Sequence, residues 1–198
     1  MIRIRRAFTI MLILFALLPV AAQRKQIGEA KTILLRGKDY AKAEKMMTDL
    51  LKDSSNLYNK RIYDTWLQAV EKQYAQLNEQ MYLKQKVDTV KLFDLTKRLF
   101  TVGERLDSID MMPDKKGKVS LEYRKDNAQR LTNSRPNLFF GGAYYVRKQN
   151  FAKAFDLFET YIDCDRQPLF DGYDLADKDP RMGEATYWAT YCGFRCAD

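Results

Sequence analysis

Two long stretches of the chain repeat apolar residues at intervals of three and four. The first seam is Tyr63, Leu67, Val70, Tyr74, Leu77 and Met81, and the second is Leu92, Leu95, Leu99, Val102, Leu106 and Ile109. Such spacing places apolar side chains on one face of an α-helix. Neither stretch contains proline. We therefore predict two helices of about 23 residues, each about 35 Å long, that form one elongated hairpin.

The two adjacent seams have two alternative uses. The simpler one is that they pack against each other within the chain. The other is a coiled-coil dimer, in which each seam meets a second copy. Ile62 and Trp66 lie beside the first seam and are available to a neighbouring helix.

Shorter segments with helical spacing occupy most of the remaining chain. The predicted helices span residues 26–36, 39–51, 119–131, 136–147, 151–163 and 181–195. The 119–131 helix has a sparse apolar stripe of Leu121, Ala128 and Leu131. Residues 53–56 and 112–118 are predicted turns, and residues 164–178 a long loop. These assignments predict an all-α fold.

Residues 137–163 combine small and large apolar residues in two adjacent helices. Gly141, Gly142 and Ala143 leave one face of the first helix almost free of side chains, and Ala154 does the same on the second. Large residues surround them: Leu138, Phe140, Tyr144, Tyr145, Phe151, Phe155, Phe158 and Tyr161. Small residues opposite large ones allow an antiparallel helix pair to interlock.

This pair resembles a tetratricopeptide repeat, a helix–turn–helix unit of about 34 residues. The residues that carry the resemblance are Gly142, Tyr145, Phe151, Ala154 and Phe158, with Pro168 shortly after the second helix. An apolar residue near Leu138 replaces the expected tryptophan, and the turn glycine is missing.

A second copy of the pattern lies at residues 37–51. Tyr40, Ala43 and Met47 parallel Phe151, Ala154 and Phe158 at a constant offset of 111 residues. Units between the two copies must be irregular or longer. The resemblance implies antiparallel helix pairs stacked as a TPR-like α-solenoid over residues 23–198.

A solenoid of this kind lines its concave surface with the first helix of each pair. The resemblance therefore implies that Phe139, Ala143 and Arg147 face a protein or peptide partner. The alternative for Phe139 is a place in the ordinary core.

The last predicted helix is strongly aromatic. Tyr187, Trp188, Tyr191 and Phe194 lie within it, and it resembles the first helix of a further repeat. Solenoid ends normally carry a polar capping helix. We therefore expect the chain to be truncated at its C-terminus. Otherwise the aromatic face packs on another subunit, or on Phe170 and Tyr173 of the preceding loop.

Residues 1–22 have the pattern of a secretory signal peptide. Arg3, Arg5 and Arg6 precede an apolar run, and small residues stand before Gln23. The alternative is an uncleaved anchor, but the run is shorter than the roughly 20 residues that span a bilayer. No cysteine follows the cleavage site, so we expect an exported, periplasmic protein without a lipid anchor or a later membrane span.

Charge and composition exclude several functions. Cleavage lowers the net charge from +8 to +5, and the basic residues are interspersed with acidic ones, so nucleic acid is not an expected partner. The chain has no histidine, which removes Ser–His–Asp and Cys–His catalytic pairs and histidine metal sites. No phosphate-binding glycine loop is present. We expect no cofactor.

The three cysteines are expected to be free thiols. Cys192 lies well along the last helix, which places it too far from Cys164 for a disulfide bond. Cys192 and Cys196 share one helix face, but two cysteines are too few ligands for a zinc site. The acids between Asp165 and Asp179 lack the spacing of a calcium loop. Helix capping is their expected role.

These observations favour a non-enzymatic protein–protein interaction scaffold of the bacterial cell envelope. The alternative is a glycan-uptake or envelope-assembly component built on the same repeats, which exposed aromatic residues aligned for sugar stacking would favour. An enzyme would need a pocket where two acids converge. The sequence leaves the oligomeric state open.

Overall fold

The computed structural model of the protein describes residues 22–37, 39–114 and 116–197. The structure is 78% helix and contains no strand in these ranges. The α-helices are α1 (22–36), α2 (Tyr40–Leu50), α3 (Lys60–Tyr82), α4 (Thr89–Asp110), α5 (Arg124–Ser134), α6 (Pro136–Arg147), α7 (Phe151–Asp163), α8 (Leu175–Lys178) and α9 (Met182–Ala197). The predicted all-α class is confirmed. The predicted signal peptide falls almost wholly outside the described residues.

The chain divides into two compact units, with the boundary between Ala69 and Val70 inside α3. In the first unit, α1, α2 and the start of α3 bury one apolar cluster. Its buried members are Ile27, Ala30, Leu34, Ala43, Met47, Ile62 and Ala69. Trp66 packs against this cluster, and its indole Nε1 donates a hydrogen bond to Glu44 Oε1 at 3.2 Å. The expectation that Ile62 and Trp66 face neighbouring helices is confirmed.

The two long helices have the predicted lengths, 23 residues for α3 and 22 for α4. Every residue of the α4 seam is buried, and so are the first four of the α3 seam. Leu77 is half-buried, and Met81, in the last turn of α3, is 38% exposed. The apolar seam of α3 therefore extends beyond the part of the helix that is buried.

The start of α5 differs from the prediction. The helix begins at Arg124 instead of near residue 119, and Leu121 is 44% exposed. Two acids of α4 fix the start: Asp110 accepts a hydrogen bond from the Tyr123 backbone N–H at 2.9 Å, and Asp107 forms a bidentate pair with Arg124. The predicted core residues Ala128 and Leu131 are buried.

The predicted loop 164–178 is more ordered than expected. It contains the 3-10 turns Cys164–Arg166 and Pro168–Phe170 and the short helix α8. Leu169, Phe170 and Leu175 are buried, and the Phe170 ring stacks on Phe100 of α4 with centroids 6.2 Å apart. The segment is held because its apolar side chains complete the core beside α4.

Buried positions recur at the constant offset of 111 residues in the two helix pairs. Ile27, Ala30, Leu34, Ala43 and Met47 correspond to Leu138, Gly141, Tyr145, Ala154 and Phe158, and all are buried. The second helices also begin alike. Asp39 accepts a hydrogen bond from the Lys42 N–H, and Asn150 accepts one from the Lys153 N–H, each at 3.2 Å. Gly142 departs from this pattern, because Lys31 at its counterpart is exposed.

In the turn between α6 and α7, Gln149 occupies the position where a tetratricopeptide repeat usually has glycine. Gln149 adopts a left-handed conformation with φ of 56°. The N–H of Gln149 donates to the Val146 carbonyl and that of Asn150 to the Tyr145 carbonyl, both at 2.9 Å. These two bonds form a Schellman helix end, where glycine is usual because it has no Cβ.

Candidate functional site

The most distinctive surface lies where α9 passes the turn between α6 and α7. Helix α9 packs closely on α7 through a face of small residues: Ala185, Ala189 and Cys192 are buried. A Cβ at Gly193 would lie 3.2 Å from Cε2 of Phe155, so the two helices nearly touch there. Because this small face is buried, the aromatic residues of α9 point elsewhere.

Those aromatic residues form one wall of an open groove of about 450 Å³. We call it the aromatic groove, and it is lined by Val146, Gln149, Phe151, Tyr187, Trp188, Tyr191 and Arg195. The α6–α7 turn supplies the opposite wall. Tyr187 is 62% exposed, while Trp188 and Tyr191 are half-buried.

The rings in the groove meet edge to face. Tyr187 and Trp188 have centroids 5.3 Å apart at 74°, and Trp188 and Tyr191 have centroids 5.7 Å apart at 89°. Tyr191 also meets Phe151 at 5.9 Å and 79°. Edge-to-face contact is a favourable arrangement for aromatic rings. It holds these side chains in defined positions on the surface.

A cation lies over the groove. The Arg195 guanidinium carbon is 4.4 Å from the Phe151 ring centroid, and Nη1 donates a hydrogen bond to the Tyr191 hydroxyl at 2.9 Å. Further along α9, the indole Nε1 of Trp188 faces Glu184 Oε1 at 3.4 Å. The guanidinium keeps donors for a carboxylate or carbonyl, because its observed contacts are the ring faces of Phe151 and Tyr191 and one hydroxyl.

Other cations lie on the helices and the turn that form the groove. The Arg181 guanidinium carbon is 5.3 Å from the ring centroid of Phe140, which is 46% exposed. Arg147 and Lys148 are exposed on the turn between the groove residues Val146 and Gln149. Arg195, Arg147 and Lys148 therefore lie in or beside the groove, against the acid Glu184.

The predicted partner-binding residues are brought together only in part. Tyr187, Trp188 and Tyr191 line the groove, whereas Ala143 is half-buried, and Arg147 and the 67% exposed Phe194 lie outside its lining. The suggested packing of this face on Phe170 and Tyr173 is wrong for Phe170, whose ring contacts are Phe100 and Tyr173.

The partner-facing interpretation of Phe139 is also wrong. Its ring is 7% exposed and meets Phe158 and Tyr161 with centroid distances of 5.5 Å and 5.7 Å. The neighbouring Phe140 takes the exposed position. One residue rotates a helix by about 100°, so an error of one position exchanges core and surface.

Phe140 and Arg195 were not among the predicted partner residues, although their spacing in the chain is a weak indication of their positions. Phe140, Ala143 and Arg147 have the i, i+3, i+7 spacing of one helix face. Arg195 lies four residues after Tyr191, which places the two side chains together on α9.

A second, charged pocket of about 370 Å³ lies between α4 and the α6–α7 pair. Asp94 and Asp156 both line this pocket, and two acids in one pocket are what an enzyme without histidine would need. Asp156 pairs with Lys97 at 2.7 Å, and Asp94 pairs with Lys153 at 3.4 Å. The two carboxylates are 57% and 48% exposed. These are the features of surface ion pairs and not of a desolvated acid–base pair.

The three thiols are free: Cys164 and Cys192 are buried, and Cys196 is exposed. Burial raises the pKa of Cys164 to about 12. The acids around α8 act as caps: Asp165 accepts from the Ala176 N–H at 2.8 Å and Asp179 from the Arg181 N–H at 3.0 Å. No cluster of metal-ligating side chains occurs among residues 22–37, 39–114 and 116–197.

Comparisons of the chain with protein-family models, with curated proteins and with solved structures each give no match. None of the helices formed by the described residues combines the length and the apolar character needed to span a bilayer.

Proposed function

We propose that this chain is a non-enzymatic protein-interaction scaffold of TPR-like helix pairs, and that its aromatic groove binds a peptide segment of a partner protein. The observation that carries the proposal is the groove itself, where fixed aromatic rings and a guanidinium lie together on the surface. Tyrosine, tryptophan and arginine are the residues that contribute most to protein interfaces.

The groove also favours a particular class of peptide. An apolar or aromatic side chain fits between the rings of Tyr187, Trp188 and Phe151. An acidic side chain beside it pairs with Arg195, and the surrounding excess of cations attracts it. The preferred segment therefore carries an acidic residue next to an apolar one.

The repeated helix pairs support the scaffold part of the proposal. Five buried positions and the side-chain cap recur at one offset in both pairs, as expected for copies of one structural unit. Stacked units of this kind bind partners with their surfaces instead of carrying out chemistry. The absence of histidine from the sequence and the ion-paired carboxylates of the charged pocket agree with a non-enzymatic role.

The same groove supports the glycan alternative less well. Sugar rings stack on broad aromatic faces, and neighbouring faces must be aligned to hold a chain of sugars. The successive rings of the groove stand at 74° and 89° to each other. We therefore favour a peptide over an oligosaccharide, and a glycan array is the direct comparison.

We also propose an exported, periplasmic location in the bacterial cell envelope. It rests on the basic, apolar and small-residue pattern of residues 1–22. Expression of the full chain followed by N-terminal sequencing tests it. A mature protein that begins at Gln23 in the periplasmic fraction is the expected result, and an intact N-terminus in the cytoplasm contradicts it.

Peptide display tests the groove. A random twelve-residue library is selected on the wild-type protein, and the selected peptides are measured against Tyr187→Ala/Tyr191→Ala and against Arg195→Gln. The matched control is Tyr58→Ala, because Tyr58 is 61% exposed and Tyr187 is 62% exposed.

We expect selected peptides to be acidic and apolar, to lose at least tenfold in affinity with the groove variants, and to bind the control normally. Peptides that bind the groove variants and the wild type equally would contradict the proposal.

A further inference from the structure

The turn between α3 and α4 carries the most exposed run of large apolar side chains in the second unit. Met81, Tyr82 and Leu83 follow one another in the chain and are 38%, 85% and 55% exposed, and Val90 across the turn is 41% exposed. We call this set the hairpin tip. Single exposed apolar residues are ordinary on a protein surface, whereas several of them concentrated at one turn indicate an interaction site.

The backbone of the turn is well defined. The Lys84 N–H donates to the Met81 carbonyl at 3.0 Å, and the Gln85 N–H donates to the Gln80 carbonyl at 2.9 Å. Lys84 lies in the left-handed region with φ of 54°, which completes a Schellman end for α3. Asp88 caps α4 by accepting from the Lys91 N–H at 2.9 Å. The apolar side chains are therefore presented on a fixed turn.

Lysines surround the apolar group. Lys84, Lys86 and Lys91 are exposed, and none of their ammonium groups forms an ion pair within the described ranges. Nearby are two acids without a lysine partner among the described residues, the exposed Glu79 and the capping Asp88, and Asp94, which pairs with Lys153. The tip thus combines exposed apolar side chains with three lysines against these two acids, a net charge of +1 from the side chains of the turn.

We infer that the hairpin tip binds an anionic phospholipid surface. Tyr82, Leu83 and Met81 enter the boundary between headgroups and acyl chains, and the three lysines contact the lipid phosphates. Tyrosine suits this boundary because its ring is apolar and its hydroxyl is polar. Long lysine side chains keep their ammonium groups at the headgroup level while their stems lie along apolar surface.

The composition and size of the tip disfavour a protein in its place. A stable protein interface covers roughly 800 Å² on each partner, and a turn with four apolar side chains is a small part of that. Lysine is depleted in protein interfaces. A second copy of the same tip would also bring three lysines against three.

Vesicle co-sedimentation tests the inference with the full mature chain. The probes are vesicles of phosphatidylcholine alone and vesicles that contain phosphatidylglycerol. Binding to the anionic vesicles, reduced by added salt, is the expected result.

Two variants divide the tip into its parts. Tyr82→Ser/Leu83→Ser removes the apolar group, and Lys84→Asn/Lys86→Gln removes charge while Asn retains the left-handed conformation. We expect each to reduce partitioning roughly tenfold or more. The control is Val119→Ser/Leu121→Ser, in which the replaced side chains are 48% and 44% exposed and follow the opposite end of α4. It is expected to bind as the wild type does.

Several results would overturn the inference: no binding, equal binding to neutral vesicles, equal binding by the tip variants, or equal loss in the control. Sedimentation velocity without lipid provides a further test. If the wild type self-associates and Tyr82→Ser/Leu83→Ser does not, the tip is a protein contact and the lipid assignment is wrong. Peptide binding at the aromatic groove is expected in all these variants, so a failure of the lipid inference is distinct from a failure of the proposed peptide binding.

Discussion

Gly142 of α6 lies directly against the ring of Phe158 of α7. A Cβ placed on Gly142 would be 2.6 Å from Cε2 of Phe158, well inside van der Waals contact. The Phe158 ring is fully buried and meets Phe139 edge to face at 5.5 Å, so it has little room to move. The absence of a side chain at residue 142 sets how closely the two helices approach.

Gly142→Ala is therefore expected to destabilise the protein by about 1–3 kcal/mol, the usual range for overpacking a core. Urea unfolding measures the change. Gly28→Ala is the matched control, because Gly28 lies inside α1 with nothing within 4 Å of its Cβ position. The control should gain about 0.5–1 kcal/mol from helix propensity. A gain in both variants would contradict the packing assigned to Gly142.

Gln149→Gly is expected to stabilise the protein. Gln149 is exposed and has φ of 56°, a conformation that costs a residue with a Cβ about 1 kcal/mol and glycine almost nothing. The gain should therefore be about 0.5–1 kcal/mol in urea unfolding. Lys148→Gly is the control, since φ of Lys148 is −88° and glycine brings no relief there. If both variants lose stability, the helix end differs from the one described.

Arg135 joins three parts of the second unit. Its guanidinium donates to the Tyr161 carbonyl at 2.9 Å and 3.1 Å, pairs with Asp179 and stacks on the Tyr161 ring with its carbon 3.6 Å from the centroid. The Tyr161 hydroxyl donates to the same Asp179. Arg135 is 5% exposed.

Arg135→Met should cost about 3 kcal/mol, because it leaves Asp179 and the Tyr161 carbonyl without their buried partner. Asp179→Asn should cost less, since the amide still accepts hydrogen bonds. A double-mutant cycle measured by urea unfolding should give a coupling energy of at least about 1 kcal/mol. Additive effects would show that the pair contributes no mutual stabilisation.

Glu104 of α4 makes the free energy of unfolding depend on pH. Burial, together with the charge of Asp163, raises the pKa of Glu104 from 4.5 to about 7, and Lys97 opposes the shift. The folded state therefore holds this proton more tightly than the unfolded chain. Its contribution to stability is complete below about pH 4.5 and is lost as the pH rises to about 7.

Glu104→Gln should remove this dependence. Between about pH 4.5 and pH 7, the free energy of unfolding of the wild type should fall by up to about 3 kcal/mol relative to that of the variant. Urea midpoints measured across the range provide the test, with the exposed Glu159→Gln on α7 as the control. Parallel pH profiles for wild type and Glu104→Gln would contradict the assignment.

Much of the helical framework was predictable from local pattern. The seam spacing identified the two long helices, and the small and large residues at Ala43, Met47, Ala154 and Phe158 identified positions that are all fully buried. These predictions succeeded because burial on one helix face imposes a period on the sequence, whatever the helix packs against.

The errors occurred where a distant residue decides the local structure. Helix α5 begins at Arg124 because Asp107 and Asp110 of α4 hold its first residues. In the 3-10 turn Pro168–Phe170, Leu169 and Phe170 are buried, and the Phe170 ring stacks on Phe100. The groove needed three-dimensional information for the same reason, since the α6–α7 turn and α9 meet only after folding.

The two tryptophans of the chain allow peptide binding at the aromatic groove to be observed directly. Trp188 lines the aromatic groove, and Trp66 packs in the first unit. In a nitrogen–proton correlation spectrum each indole N–H gives one signal, and Trp188→Phe assigns them. A peptide selected by display is added stepwise to the protein. We expect the Trp188 signal to shift and saturate while the Trp66 signal stays in place. Peptide binding that leaves the Trp188 signal unmoved would show that the aromatic groove is not the binding site.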